Sequence, residues 1–130
     1  MLVSENNTEI VTKEFLVNNG NQETQFLAQR FSNRIFITIS ECNGFGSLIN
    51  ITKDELDVFT LENSKMSISV DFLIGVEEDI YKIIARQIAA AVFLETNLPI
   101  LLAIALKDRS SKCLKDILNN LDKINVWRKV

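Results

Sequence analysis

The most regular pattern in the chain is an alternation of apolar and polar side chains in the segment KMSISVDFLIG, residues 65–75. Every second position is apolar: Met66, Ile68, Val70, Phe72 and Ile74. Serine or aspartate fills the intervening positions as far as residue 71. Because successive side chains of a β-strand point to opposite faces, this spacing predicts a strand with one apolar face.

Four further β-compatible segments come before this strand: residues 8–17, 23–31, 34–40 and 47–52. Asn19-Gly20, between the first two, is a strong hairpin turn signal. The third places Ile35, Ile37 and Ile39 on one face. Residues 53–65 are polar without a clear period, so we expect a loop there. Adjoining strands with short connections predict an antiparallel meander.

The segment 77–97 has the apolar spacing of a helix and opens with the carboxylates Glu77, Glu78 and Asp79, which favour the positive end of the helix dipole. The face expected to pack on the sheet contains Ile80, Ile83, Ile84, Ile88, Ala91 and Leu94. A further apolar flank contains Tyr81, Ala85, Ala89 and Val92, with Phe93 on the opposite side. The second half of the helix therefore needs a second cover. A partner subunit and the C-terminal helix of the same chain are equally good sources of it.

After Asn97-Leu98-Pro99, the apolar run ILLAIALKD predicts a central strand covered on both faces. The remaining residues predict an amphipathic helix capped by Ser110 or Ser111. Its apolar stripe contains Leu114, Ile117, Leu118, Leu121 and Ile124. The element order is β-β-β-β-β-α-β-α. We therefore expect an α+β fold, with an antiparallel sheet of about six strands and two helices, as a single domain over residues 1–130.

Histidine is absent from the chain, which removes the commonest general base and metal ligand. A Ser-His-Asp triad cannot be built, and Cys42 and Cys113 are too far apart in sequence to suggest a zinc site. The segment NGFGSL lacks the Gly-Lys-Ser/Thr ending of a phosphate-binding loop. A hairpin turn that uses Gly44 and Gly46 for positive φ explains it more simply. We expect no cofactor and no metal.

The best polar pair is Lys107 and Asp108, at the end of the predicted central strand. A nucleophilic lysine needs a desolvated pocket, whereas Arg109 and Lys112 add further charge to this stretch. The sequence therefore favours a protein that is not an enzyme. An enzyme or small-ligand binder using Lys107, Asp108 and Cys113 is an alternative that would require a deep pocket at this strand end.

Charge is unevenly distributed, although the net charge is only −3. Residues 107–130 contain seven basic and three acidic side chains, a balance of +4, and the other 106 residues have a balance of −7. The acidic total argues against nucleic acid as a partner. The basic C-terminal element either guides docking onto an acidic protein surface or is an ordinary solvated helix face.

The location of the protein is predicted from its cysteines and its apolar runs. Two separated cysteines favour a reducing, cytoplasmic setting, and a nuclear location is also compatible with it. The first residues lack the pattern of a signal peptide. The longest apolar run, residues 99–106, is too short to span a bilayer, so we expect no membrane association.

Four segments in this order resemble the proteasome assembly chaperone 3 family: NGFGSLI, FLIGVEEDIYKIIARQIAAAV, LLAIALKDRSSKCLKDI and INVW. The similarity is clearest over residues 72–127, with support at residues 44–49. The hairpin before Asn33 is similar in pattern only, and residues 53–65 do not match. No catalytic signature is among these segments, so the resemblance depends on their combined order.

The resemblance implies a non-enzymatic α+β subunit that pairs with a sibling, proteasome assembly chaperone 4, and helps α subunits form the ring of the 20S proteasome. A homodimer in isolation is a further expectation. For the dimer interface we predict the apolar residues Ala85, Ala89, Val92 and Phe93. For docking to a proteasome α subunit we predict the basic residues Lys107, Arg109, Lys112 and Lys115. The alternative is a small scaffold of the longin or roadblock kind in a trafficking or signalling complex.

Overall fold

The computed structural model of the chain describes residues 11–19, 22–41, 46–54, 67–107 and 110–128. Within them, the strands are β1 Val11–Asn19, β2 Gln22–Arg30, β3 Ile35–Ser40, β4 Ser47–Lys53, β5 Ile68–Ile74 and β6 Ile100–Ala105. The helices are α1 Asp79–Val92, α2 Ser111–Asn119 and a 3₁₀-helix, Leu121–Ile124. This confirms the α+β class and the predicted order of strands and α-helices.

The six strands form one sheet in the order β1-β2-β3-β6-β4-β5. All neighbours are antiparallel except β3 and β6, which run parallel. The meander prediction is right for β1 to β3, but β6 is inserted between β3 and β4. The predicted hairpin from β3 to β4 is therefore wrong, since these strands are not neighbours. Residues 42–45, which include Gly44, lie outside the described part of the chain.

One face of the sheet forms the core. Ile35, Ile37 and Ile39 of β3 are fully buried, as their alternation predicts. In the register Ile37 pairs with Leu102 of β6, which pairs with Ile49 of β4, so buried side chains continue across the sheet. They belong to one cluster with the buried residues of α1 and α2. Both helices therefore cover this face.

The other face of the central strand differs from the prediction. Ile100, Leu102 and Ile104 of β6 are buried, whereas Leu101 and Ala103 between them are only half-buried. Among the described residues, helices cover only one of the two β6 faces, so the expected cover on both faces is not found there. A continuous apolar run here reflects one face packed on helices and a second face that no described element covers.

The buried side of helix α1 only partly matches the predicted one: Ile84 and Ile88 are buried as predicted, and Ile80 packs against the core. Its buried residues are Tyr81, Ile84, Ala85, Ile88, Ala89 and Val92. Ile83 and Leu94, assigned to the core face from their spacing, are 46% and 79% exposed. The helix is apolar nearly all round, so its pattern could not fix which side faces the sheet. Its start differs too, because Glu78 is the N-cap residue and only Asp79 lies in the first turn.

The C-terminal helix is shorter than predicted. Helix α2 ends at Asn119, the chain continues as the 3₁₀-helix, and residues 125–128 are irregular. Asn120 donates from its side chain to the carbonyl oxygen of Asp116 at 2.7 Å, and such local bonds compete with helical ones. At the other end of α2, Ser110 accepts from the backbone N–H of Cys113 at 3.2 Å, which confirms the predicted cap. In the described part of the chain, no helix is long and apolar enough to cross a membrane.

Candidate interaction surfaces

The apolar residues predicted for the dimer interface lie inside the protein. Ala85, Ala89 and Val92 have no exposed surface, and Phe93 is 3% exposed. They pack in the same cluster as Ile117, Ile124 and Trp127 of the C-terminal segment. The second cover of α1 therefore comes from the same chain. The prediction that these four residues face a partner subunit is wrong, because no partner can contact them without opening the core.

A different apolar surface lies on the side of the sheet away from the helices. We call it the open sheet face, and its central apolar members are Leu27, Phe36, Leu48, Leu101 and Ala103. All five are half-buried rather than buried. Phe36 pairs with Leu101 across β3 and β6, and Leu48 pairs with Ala103 across β4 and β6. Neighbouring strands thus bring apolar side chains together in the middle of the face.

A β-bulge enlarges the open sheet face at the β5 edge. The β4–β5 register shifts between Leu48 and Ile49, so that Ile49 pairs with Phe72 but Leu48 pairs with Ile74. The extra residue, Leu73, is 56% exposed and Ile74 is 53% exposed. Ile74 was predicted to share a face with Phe72, and the bulge places it beside Leu48 on the other face instead. A bulge can re-aim side chains in this way.

The basic docking residues lie at the end of β6 and on α2. Lys107 lies just after β6, whereas Lys112 and Lys115 lie on α2. All three residues are exposed. Lys112 and Lys115 are three residues apart and therefore lie on one side of the helix. Arg109 and Asp108 fall outside the described residues. We call Lys107, Lys112 and Lys115 the basic surface.

Sequence reasoning did not identify Glu41, which joins the basic surface to the sheet. Its side chain is only 8% exposed. One carboxylate oxygen, Oε1, accepts from the backbone N–H of Lys107 at 2.9 Å. The other, Oε2, accepts from the hydroxyl of Thr24 at 3.1 Å and lies 3.6 Å from the thiol sulfur of Cys113. The available signal was a carboxylate directly after a strand rich in isoleucine.

The described residues near the strand end at Lys107 differ in their exposure to solvent. Cys113 is buried beside Glu41, whereas the Lys107 side chain points to solvent. Among the described residues, one cavity of about 300 Å³ lies at the β1–β2 hairpin and is lined by Glu14, Phe15, Leu16 and Gln25. Within the described residues, no three histidine, cysteine, aspartate or glutamate side chains are grouped as a metal site would need. The geometry here is that of a structural junction beneath an exposed basic surface.

Known proteins match this chain over most of its length. Residues 37–124 match the family model of proteasome assembly chaperone 3. Proteasome assembly chaperone 3 of Nematostella vectensis is 31% identical over 106 residues, which cover 78% of each chain. The human protein of that name is 25% identical over 128 residues, covering 98% of this chain and 96% of its own.

The fold itself is also known from a solved structure. A chain in the crystal structure of a chaperone complex for yeast 20S proteasome assembly superimposes with a TM-score of 0.71 and 18% identity, covering 86% of this chain and 96% of the yeast one. At this identity the match shows the shared fold alone. The family match is independent of it and extends from β3 to the 3₁₀-helix. This chain belongs to the proteasome assembly chaperone 3 family, which confirms the resemblance of its four sequence segments.

Proposed function

We propose that the protein is a chaperone of 20S proteasome assembly that acts by binding alone. In this proposal it pairs with a sibling of the proteasome assembly chaperone 4 kind and helps α subunits assemble into their ring. The observation that carries the proposal is the family match over residues 37–124. A longin-like or roadblock-like scaffold is not favoured, because the family match identifies an assembly chaperone.

The open sheet face is the surface that we assign to the sibling subunit. Its apolar centre, with Phe36, Leu48 and Leu101, is half-buried within the chain and would be buried by a second sheet packed face to face, as in a β-sandwich. The occupant that we propose is a sibling of similar fold, as the family resemblance implies, and the origin of the matching yeast chain in a chaperone complex supports a partner subunit. When no sibling is present, a second copy of this chain takes the same place and gives a homodimer.

The basic surface is the one that we assign to a proteasome α subunit, together with Arg109. Lys112 and Lys115 are exposed on the side of the sheet that carries the helices, so they stay accessible when the open sheet face is paired. Exposed charges guide docking and set its rate more than its final affinity. Such contacts suit a chaperone that has to leave the particle before assembly is complete.

The proposal includes no catalytic step, no cofactor and no contact with nucleic acid or membrane. It places the protein in the cytoplasm, with the nucleus as a second location. The exposed Lys107 and the buried Cys113 are arranged for surface contact and for packing respectively. Nothing in their arrangement desolvates the lysine, which a nucleophilic role would require.

The test is capture of the tagged full-length chain from its native cells under conditions that keep early assembly intermediates intact. The expected result is recovery of a sibling of similar size together with proteasome α subunits, but not of mature proteasomes. Native mass measurement of the chain, alone and co-expressed with the candidate sibling, then gives the composition of the pair. Recovery of GTPases or membrane complexes, with neither a sibling nor α subunits, would contradict the proposal.

A further inference from the structure

Glu41 connects the sheet to the segment that carries the basic surface. On the sheet side, its backbone N–H donates to the carbonyl oxygen of Ala105 at 2.7 Å and its Oε2 accepts from Thr24 of β2. On the other side, the two carboxylate oxygens contact Lys107 and Cys113. Lys107 is itself a member of the basic surface, and Cys113 lies between Lys112 and Lys115 on α2. One buried carboxylate therefore contacts both elements from which the three lysines project.

The charge of Glu41 suits its position beside α2. The first turn of α2 contains no acidic residue, and Lys112 lies in that turn. A cation near a helix N-terminus is unfavourable, because the helix dipole places positive charge there. Glu41 brings a carboxylate from another element to within 3.6 Å of Cys113 in the same turn. It thereby offsets the cost of a basic first turn without placing negative charge on the exposed surface.

We infer that Glu41 is a positioning residue for the basic surface: its carboxylate fixes where Lys107, Lys112 and Lys115 lie relative to the sheet. This inference rests on the proposed docking of α subunits at that surface. Two roles are thus assigned to neighbouring residues in this region of the fold. The lysines contact the partner, and the buried carboxylate beneath them holds them in one arrangement.

The first experiment measures amide hydrogen exchange of the chain paired with its sibling. Glu41→Gln removes the negative charge of the carboxylate and replaces one hydrogen-bond-accepting oxygen with an NH₂ group, which can only donate. We expect the amides of Lys107 and of the first turn of α2 to exchange about tenfold faster, since a charge-assisted hydrogen bond is lost there. Amides of α1 should not change. Thr24→Val is the comparison variant, because it removes the sheet-side donor to Oε2 but leaves the charge of Glu41 and its contacts with Lys107 and Cys113 in place. It should speed exchange in α2 less than Glu41→Gln does.

A pair of cysteine variants distinguishes positioning from simple packing. Cys113→Ser keeps a hydrogen-bond donor to the Glu41 carboxylate, so the amides of α2 should stay protected from exchange. Cys113→Ala removes this donor and should speed amide exchange in α2. Neither should affect the Lys107 amide, which bonds the other oxygen. These variants test the inference even if Glu41→Gln does not fold. Equal protection of α2 in the serine and alanine variants would overturn it, as would unchanged exchange in Glu41→Gln.

The second experiment is a double-mutant cycle on binding to the purified α subunit that the capture experiment identifies. Glu41→Gln alone should weaken binding about fivefold, and it should weaken it no further in a Lys112→Glu/Lys115→Glu background. Fully additive losses would overturn the inference. If exchange changes as expected but neither Glu41→Gln nor the lysine variant affects binding, the positioning of the segment is supported and the proposed docking surface is refuted. The two ideas can therefore fail separately.

Discussion

Gly75 packs directly against Gly46, so closely that a Cβ added to Gly75 would lie 2.6 Å from the Gly46 carbonyl oxygen and 2.6 Å from the Ser47 hydroxyl. A Cβ added to Gly46 would in turn collide with the carbonyl oxygen of Ile104 in β6. Gly75 also has a φ of +98°, which favours glycine. The Ser47 hydroxyl donates to the carbonyl oxygen of Val76 at 2.8 Å and closes the junction. Three parts of the chain meet here with no space for a side chain at either glycine.

Gly46→Ala should therefore destabilise the fold. The added methyl group meets backbone atoms of β6, which cannot move aside without disturbing the centre of the sheet. We expect a loss of about 2–3 kcal/mol in the free energy of unfolding, as for an overpacked core. Urea unfolding measures it. Gln87→Ala, at an exposed position on α1, is the control and should change stability by less than about 0.5 kcal/mol. Equal stability of the two variants would contradict the close approach.

The sequence prediction was that Gly46 serves a positive φ, but the structure assigns it this steric role, since only Gly75 has a positive φ among the described glycines.

Trp127→Ala should be as damaging as a substitution in the middle of the sheet. Trp127 follows the last helical turn yet is only 2% exposed, and it belongs to the core cluster. Truncation of a buried tryptophan costs about 3–5 kcal/mol. Arg128→Ala provides the matched control. Arg128 is the next residue and is exposed; its side chain forms a 3.7 Å ion pair with Glu95, and the hydrogen bond of its backbone N–H to Asn125 is kept in the alanine variant. Thermal unfolding should show a large loss for the first variant and almost none for the second. A small effect of Trp127→Ala would show that the C-terminal segment is not part of the core.

Leu48→Asp should prevent pairing with the sibling while the chain stays folded. Leu48 lies at the centre of the open sheet face and is half-buried, so a carboxylate there remains solvated in the free subunit but not in a pair. We expect the dissociation constant of the pair to rise at least about a hundredfold, as for the loss of a central interface residue. Native mass measurement of the co-expressed subunits gives the fraction paired.

The control for this prediction is Ile83→Asp. Ile83 is an exposed apolar residue on α1, 46% accessible, on the opposite side of the protein from the open sheet face. It should leave pairing unchanged. If Ile83→Asp separates the subunits and Leu48→Asp does not, the subunit contact lies on α1 rather than on the sheet. The proposed pairing surface would then be wrong.

Lys112→Glu/Lys115→Glu should slow association with the α subunit, and the effect should depend on salt. Both side chains are exposed, so their charges act mainly on the encounter of the two proteins. At low ionic strength we expect association about tenfold slower than for the unmodified chain, and the difference should largely disappear near 1 M salt, where the screening length falls to about 3 Å. Lys13→Glu, at an exposed lysine on β1, makes half of this charge change elsewhere. If it slows association as much as Lys112→Glu or Lys115→Glu alone, net charge matters and the basic surface does not.

The sheet was predictable because its strands alternate. Ile35, Ile37 and Ile39 could be placed on a common buried face from spacing alone. The order of the strands in the sheet was not predictable, since a local sequence pattern does not show that β6 lies between β3 and β4. The buried side of α1 was not predictable either. With apolar residues on almost every side, Tyr81 and Ile83 were equally plausible core residues, and only packing distinguishes them.

The candidate surfaces show the same division. The exposure of the lysines could be predicted from the sequence alone, because an unpaired lysine side chain almost always lies at the surface. The dimer prediction failed at Ala85 and Ala89, since an excess of apolar residues indicates burial but not what buries them. Glu41 was not found because its importance depends on contacts with Thr24, Lys107 and Cys113, which are 17, 66 and 72 residues away in sequence.

The position of β6 in the sheet has a consequence for how the protein is made. Among the described strands Ile100–Ala105 is synthesised last, yet it lies between β3 and β4 in the sheet. Without β6 this sheet would be two separate groups of strands, β1–β3 and β4–β5, each with an unpaired inner edge and an apolar face. Such edges invite wrong pairing during synthesis. The two strand groups must therefore be protected from wrong pairing until β6 has been translated, when most of the chain has been made.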